Sequence, residues 1–97
     1  MNKQVVLTKL KNAMREIKQR FSVKNLAVFG SIARDQADDN SDVDVLVAFS
    51  NKASFDLFMD LKFYLEDLLG TKVDLVTDKA LRPQIRNAIE GELINVS

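Results

Sequence analysis

The chain has 97 residues, of which 46% are apolar and 29% are charged, with 14 basic and 14 acidic side chains. This length predicts a single domain over residues 1–97, and the charge balance argues against generic nucleic-acid binding. The chain has neither cysteine nor histidine. This excludes disulfides, thiolate or imidazole metal ligands and a histidine general base, so any bound metal would need oxygen ligands.

The N-terminal segment is predicted to be an amphipathic helix over about residues 3–21. Apolar residues recur there at steps of three and four, and most other positions are polar or basic. These apolar residues are Leu7, Leu10, Met14, Ile17 and Phe21. The segment lacks the apolar core of a signal peptide, and no stretch of the chain is long enough to span a membrane. We therefore expect a cytoplasmic protein.

The following segment is predicted to contain two strands joined by a turn, a short helix and a loop. The predicted elements are a strand over Asn25–Phe29, a short helix over Ile32–Asp35, a loop over Gln36–Ser41 and a strand over Asp42–Phe49. The first strand stops at Gly30, which predicts a tight turn. The second strand is apolar on both faces beyond its start, which is typical of a central, buried strand.

The C-terminal half repeats the alternation of helix and strand. Ser54 is a predicted N-cap with Asp56 in the first turn, and Gly70 is placed to end that helix after Leu69. Further elements are a strand over Lys72–Val76, a helix with Pro83 in its first turn, ended by Gly91, and a short strand over Leu93–Val96. The last helix has an apolar face of Leu81, Ile85, Ala88 and Ile89. The fold class is α/β (α+β), a small mixed β-sheet of three to four strands flanked by helices in two or three layers.

The helix that begins after Ser54 carries two apolar stripes. The expected core stripe consists of Leu57, Phe58, Leu61, Tyr64, Leu65, Leu68 and Leu69. A second stripe, Phe55, Met59 and Phe63, recurs every four residues on a different side. This second stripe is either an interface or a surface covered by the chain's own elements, and the second alternative is favoured because a small fold often wraps its longest helix. The short chain also leaves room for a partner or a homo-oligomer to add stability.

The acidic residues of two strands are the candidate metal ligands. Asp42 and Asp44 point to one side of their strand, because alternate side chains share a face. Two like charges this close favour a cation between them, although solvated aspartates at a strand start are the commoner case. Asp74 lies within an apolar strand and joins them if the two strands are neighbours. Its alternative is a surface aspartate on an edge strand, paired with Lys72.

A candidate phosphate-binding turn precedes these carboxylates. Gly30 lets the backbone approach an anion closely, and the N–H groups at a helix start would point to it. The Ser31 hydroxyl adds a donor. Arg34 is expected in the first helical turn, where the helix dipole disfavours a cation, and a bound anion would offset this unfavourable effect. A Gly-Ser pair alone is common, so it indicates a phosphate-binding site only in combination with its spacing to the aspartates.

Taken together, the turn, the spacer and the three aspartates resemble minimal nucleotidyltransferases of the DNA polymerase beta-like superfamily. The matching residues are Gly30-Ser31, then after ten residues Asp42-Val43-Asp44, and later Asp74 in Val73-Asp74-Leu75-Val76. The resemblance runs from about residue 24 to the C-terminus and implies a nucleotidyltransferase-like fold. At Asp35-Gln36 many relatives have a glycine followed by an acidic residue, so this loop departs from the family pattern.

The resemblance implies a role for each residue of the motif. Asp42, Asp44 and Asp74 would hold two Mg²⁺ ions, with Asp74 also deprotonating or orienting the attacking hydroxyl. Gly30 and Ser31 would contact the phosphates of ATP, with Arg34 as a helper. In-line transfer at phosphorus requires this kind of charge neutralisation.

Short members of the superfamily resemble the antitoxin half of toxin–antitoxin pairs, whose partner is an all-helical HEPN-type ribonuclease. The resemblance therefore implies transfer of AMP from ATP to a tyrosine of such a toxin. The alternative is an inactive antitoxin that neutralises the toxin by masking it. A Ca²⁺-binding module fits poorly, because the dense ligand loop of such sites is missing.

Overall fold

Helices and strands alternate along the chain. They are α1 Lys3–Phe21, β1 Val23–Phe29, α2 Gly30–Ala33, β2 Val43–Phe49, α3 Phe55–Leu69, β3 Val73–Thr77, α4 Pro83–Glu90 and β4 Ile94–Asn95, with a 3-10 turn at Asp78–Ala80. The computed structural model describes residues 2–36 and 42–96, so the predicted loop after Gln36 lies outside the described residues. Every predicted helix and strand is confirmed, with boundaries that differ by up to two residues.

The ends of the two long helices are fixed by local hydrogen bonds. The Asn2 side chain accepts from the Val5 N–H at 2.9 Å, and the Ser54 hydroxyl accepts from the Leu57 N–H at 3.1 Å. Gly70 ends α3 in the left-handed conformation, with φ of 71°. The predicted N-cap and C-cap of α3 are therefore confirmed.

Within the described residues, four strands form one mixed sheet in the order β3-β2-β1-β4. β1 pairs antiparallel with β2 and with β4, whereas β2 and β3 are parallel and joined by α3. The register places Asp44 opposite Asp74 and next to Phe29, the last residue of β1. The condition for Asp74 to join the other aspartates, that the second and third strands are neighbours, is therefore met.

The helices α1 and α3 cover one face of the sheet. The core joins their inner residues to Val43, Val45 and Val47 of β2. Because side chains alternate along a strand, Asp44 and Leu46 project from the opposite face. The three valines anchor β2 in the core, while the Asp44 carboxylate lies on the face of the sheet that α1 and α3 do not cover. None of the described helices is long and apolar enough to cross a membrane.

Apolar side chains of two helices, α3 and α4, are open to solvent. Phe55 and Phe63 of α3 are 75% and 53% exposed, so the favoured prediction that this side is wrapped by the chain itself is wrong. The reason is that α3 packs on β3 and on α1, which leaves its second stripe towards solvent. In α4 no residue is buried, and Ile85 is 49% exposed.

Candidate active site

The turn after β1 is shaped by a contact between Gly30 and Asp44. Gly30 is buried and has a φ of 75°, a conformation that glycine adopts without strain. A Cβ at this position would overlap the Asp44 carboxylate and lie 2.9 Å from its Cγ. The glycine therefore makes room for a carboxylate of the same chain. The sequence motif contained both residues but did not indicate that they touch.

The carboxylates of Asp44 and Asp74 form the centre of the candidate site. Burial of Asp44 is the main cause that raises its pKa to about 6. The neighbouring charges of Asp74 and Asp42 and a hydrogen bond with Asp74 raise it further, and the charge of Arg34 opposes them. Without a bound cation, ionisation of Asp44 is therefore unfavourable in the folded chain, because the carboxylate is partly buried and lies near other acidic side chains.

The two paired aspartates differ in burial. Of the two alternatives left open for Asp74, exposure on an edge strand is the one observed, because β3 lies at the edge of the sheet. Asp44 is the half-buried member, since β2 lies between two other strands. Within residues 2–36 and 42–96, Asp74 makes no ion pair with Lys72. Its side chain is instead hydrogen-bonded with Asp44.

The three aspartates have the oxygen ligands that suit Mg²⁺, but they do not form a complete coordination site by themselves. Asp42 precedes β2 and is exposed, near enough to Asp44 to act on its pKa. Among the described residues, no group of three acidic side chains converges closely enough to hold a metal ion by itself. Mg²⁺ prefers carboxylate oxygens and commonly keeps waters and substrate phosphates as further ligands. The residues present therefore fit a site that the nucleotide would complete.

Arg34 lies at the opposite end of α2 from the position expected. The short helix begins at Gly30 rather than Ile32, so Arg34 follows its last residue and Ser31 is its second residue. The expectation of an unfavourable cation in the first turn is therefore wrong. The Arg34 guanidinium donates from Nε to Gln36 Oε1 at 3.1 Å and from Nη1 to Glu92 Oε2 at 2.9 Å.

Glu92 is a further residue of the site that sequence reasoning missed. Its Oε1 accepts from the Gly30 N–H at 3.1 Å, while its Oε2 accepts from Arg34. The Arg34 hydrogen bond is the main cause that holds the pKa of Glu92 below its usual value, and the Gly30 hydrogen bond adds to it. An acidic residue after a helix-ending glycine has no spacing signal that links it to a turn 62 residues earlier.

The chain is similar in sequence to proteins named for adenylyl transfer. A model of the nucleotidyltransferase domain matches residues 7–96. A Methanocaldococcus jannaschii protein, named as a candidate protein adenylyltransferase, is 40% identical over 95 residues, covering 93% of this chain and 97% of the relative. Protein adenylyltransferase MntA of Thermococcus cleftensis is 42% identical over 82 residues, covering 84% and 83%.

Solved structures share the fold. One described as a candidate minimal nucleotidyltransferase has a TM-score of 0.82 at 35% identity and covers 97% of this chain and 95% of that chain. A chain from a complex of a tri-AMPylated Shewanella oneidensis HEPN toxin with an MNT antitoxin has a TM-score of 0.67, covering 98% and 71%. At 15% identity this second similarity concerns the fold alone. The domain match over residues 7–96 and the named relatives establish that this chain belongs to the nucleotidyltransferase domain family of enzymes.

Proposed function

We propose that this chain is a Mg²⁺-dependent nucleotidyltransferase that transfers AMP from ATP to a tyrosine hydroxyl of a helical, HEPN-type partner toxin. The observation that carries the proposal is the pairing of Asp44 with Asp74 next to the turn at Gly30. The names of the relatives, which are protein adenylyltransferases, support AMP as the transferred group and a protein as the acceptor. A chain with the same fold comes from a complex that contains a tri-AMPylated HEPN toxin, which supports a toxin as that protein.

The metal would be held by Asp42, Asp44 and Asp74. These residues supply the hard oxygen ligands that Mg²⁺ prefers, and the raised pKa of Asp44 supports a site that a cation would stabilise. Bound Mg²⁺ would supply charge neutralisation on the attacking and leaving oxygens. The nucleotide phosphates would supply further ligands, because the described residues alone do not form a complete metal site.

The transfer itself is a single displacement at the α-phosphorus of ATP. The acceptor oxygen forms a bond to that phosphorus, the bond to the bridging oxygen of the β-phosphate breaks, and pyrophosphate leaves with the bonding electrons. Asp74, exposed beside Asp44, would accept the hydroxyl proton. Ser31 would donate to a phosphate oxygen, and Arg34 would place positive charge near the terminal phosphates.

Two labels of ATP test the transfer directly. The chain is incubated with Mg²⁺, a HEPN-type protein and ATP labelled either at the α- or at the γ-phosphate. AMP transfer puts the α-label on the partner and leaves the γ-label in pyrophosphate. The label should disappear with Asp44→Asn and with Tyr→Phe variants of the partner, but persist with Asp60→Asn, an exposed control on α3. A partner that carries the γ-label, or no label, would refute the proposed reaction.

A second candidate function is toxin masking without chemistry. The observation that favours it is the open surface around Phe55 and Phe63, which suits a protein contact that needs no nucleotide. The two functions differ in how inhibition of the partner ribonuclease responds to Asp44→Asn. Equal inhibition by wild type and variant without ATP would support masking, whereas inhibition that needs ATP and Asp44 would support transfer.

Calorimetric titration of Mg²⁺–ATP tests the nucleotide site independently of the acceptor. Wild type should bind in a Mg²⁺-dependent manner, and Asp42→Asn should weaken this binding because it removes one of the proposed metal ligands. Absence of binding to the wild type would favour masking, or a site that the partner completes.

A further inference from the structure

Glu92 connects the C-terminal segment to the candidate nucleotide turn. A single carboxylate accepts from the Gly30 N–H at 3.1 Å and from Arg34 Nη1 at 2.9 Å. The segment is itself fixed, because β4 pairs with β1 and the Val96 N–H donates to the Leu26 carbonyl at 2.8 Å. Glu92 is therefore a bridge between two anchored parts of the fold.

The bridge restricts how Arg34 can turn. Gln36 takes the Nε edge of the guanidinium and Glu92 takes Nη1, so the planar group is held at two of its three nitrogens. Among the described residues, the third nitrogen, Nη2, has no hydrogen-bond partner. The Arg34 side chain as a whole is 47% exposed.

We propose that Glu92 is a positioning residue that braces the turn at Gly30 and aims Arg34 at a phosphate group of the bound nucleotide. This inference rests on the proposed function, since it assigns the phosphate to the same turn. The Gly30 N–H is already occupied by Glu92. The phosphate would therefore be met by Ser31 and by Nη2 of Arg34, while Gly30 contributes the space in which Asp44 fits.

Two effects of the Glu92 charge oppose each other, and their balance is what an experiment can measure. The carboxylate repels a triphosphate, but both its oxygens are engaged by donors and the contacts lie near the surface, where solvent screens charge. The opposing effect is that the hydrogen bond from Arg34 to Glu92 orders the long Arg34 side chain before the nucleotide binds. Ordering one such side chain is worth about a threefold to tenfold gain in affinity. We expect this second effect to be the larger.

Calorimetric titration of Mg²⁺–ATP into Glu92→Gln tests the inference, with Glu90→Gln as the matched control. Glu90 is exposed at the end of α4, and its variant removes the same charge without touching the turn. Glu92→Gln should bind about threefold to tenfold more weakly than wild type, and Glu90→Gln should bind as wild type does. Both variants should melt within a few degrees of wild type, since neither side chain is buried.

A double-variant cycle distinguishes positioning of Arg34 from a general structural effect. If Glu92 acts largely through Arg34, adding Glu92→Gln to Arg34→Ala should weaken binding little further. The positioning role would be overturned if Glu92→Gln weakened binding equally in the wild-type and Arg34→Ala backgrounds. A gain in affinity for Glu92→Gln in the wild-type background would overturn it as well. No binding by wild type would instead count against a nucleotide site in the isolated chain, on which this inference depends, so the two failures are distinguishable.

Discussion

Replacing Asp44 by asparagine should make the metal-free chain more stable while removing its nucleotide chemistry. The substitution keeps the size and shape of the side chain in contact with Gly30 and removes the charge opposed by its surroundings. A residue retained for folding would show the reverse, because most substitutions at partly buried positions destabilise. A stabilising Asp44→Asn would therefore identify a carboxylate held for binding.

The magnitude follows from the raised pKa of Asp44. Its value of about 6 in the folded chain, against about 3.9 for an ordinary aspartate, corresponds to about 3 kcal/mol without screening. Because the side chain is partly exposed, solvent reduces this to about 1 kcal/mol. The folded state binds this proton more tightly than the unfolded state. Stability is thus lost as pH rises from about 4 to about 6 and stays lost above that range.

Differential scanning calorimetry in EDTA measures the effect at two pH values. At pH 7.5, Asp44→Asn should raise the melting temperature by about 4–8 °C, the shift that 1 kcal/mol gives in a domain of this size. At pH 4 the gain should nearly vanish, because Asp44 is then protonated. Asp60→Asn controls for the change in net charge. An equal or lower melting temperature for Asp44→Asn at pH 7.5 would refute the reasoning.

The remaining predictions use matched pairs of residues. Gly70→Ala should lose about 1 kcal/mol of stability because its φ is positive. Gly30→Ala should lose more, because its φ is also positive and its Cβ would overlap the Asp44 carboxylate. Only Gly30→Ala should abolish Mg²⁺–ATP binding in calorimetry, because no described residue lies within 4 Å of a Cβ at Gly70; equal binding losses would contradict this. The double variant Phe55→Ser/Phe63→Ser should melt within about 2 °C of wild type, whereas buried Leu61→Ala should lose about 2–5 kcal/mol. In co-purification the same double variant should lose the helical partner, and retained binding would place the contact elsewhere.

The order of elements was predictable because local signals agree with each other. Apolar periodicity defined α1 and α3, and the caps at Ser54 and Gly70 fixed the ends of α3. The apolar run on both faces of β2 indicated its central position, which the strand order confirms. These signals lie within short windows, where the sequence alone determines the pattern.

The finer geometry of the site was not predictable, since it depends on contacts between distant segments. The sequence left two alternatives for Asp74, and the edge position of β3, which no single strand encodes, decides in favour of exposure. The contact of Gly30 with Asp44 follows from the antiparallel register of β1 and β2. The role of Glu92 depends on where the C-terminal segment returns to the sheet. The metal ligands, phosphate contacts and proton acceptor remain predictions that the experiments above address.

The bridge from Glu92 to Gly30 has a consequence for how the protein matures on the ribosome. Gly30 leaves the ribosome 62 residues before Glu92, and the aspartates emerge before Glu92 as well. Until Glu92 has emerged, the turn at Gly30 lacks its bracing carboxylate. The strand that follows Glu92 can join β1 at Val28 and Ala27 only after that point. Firm nucleotide binding is thus expected only once this segment has been added to the sheet.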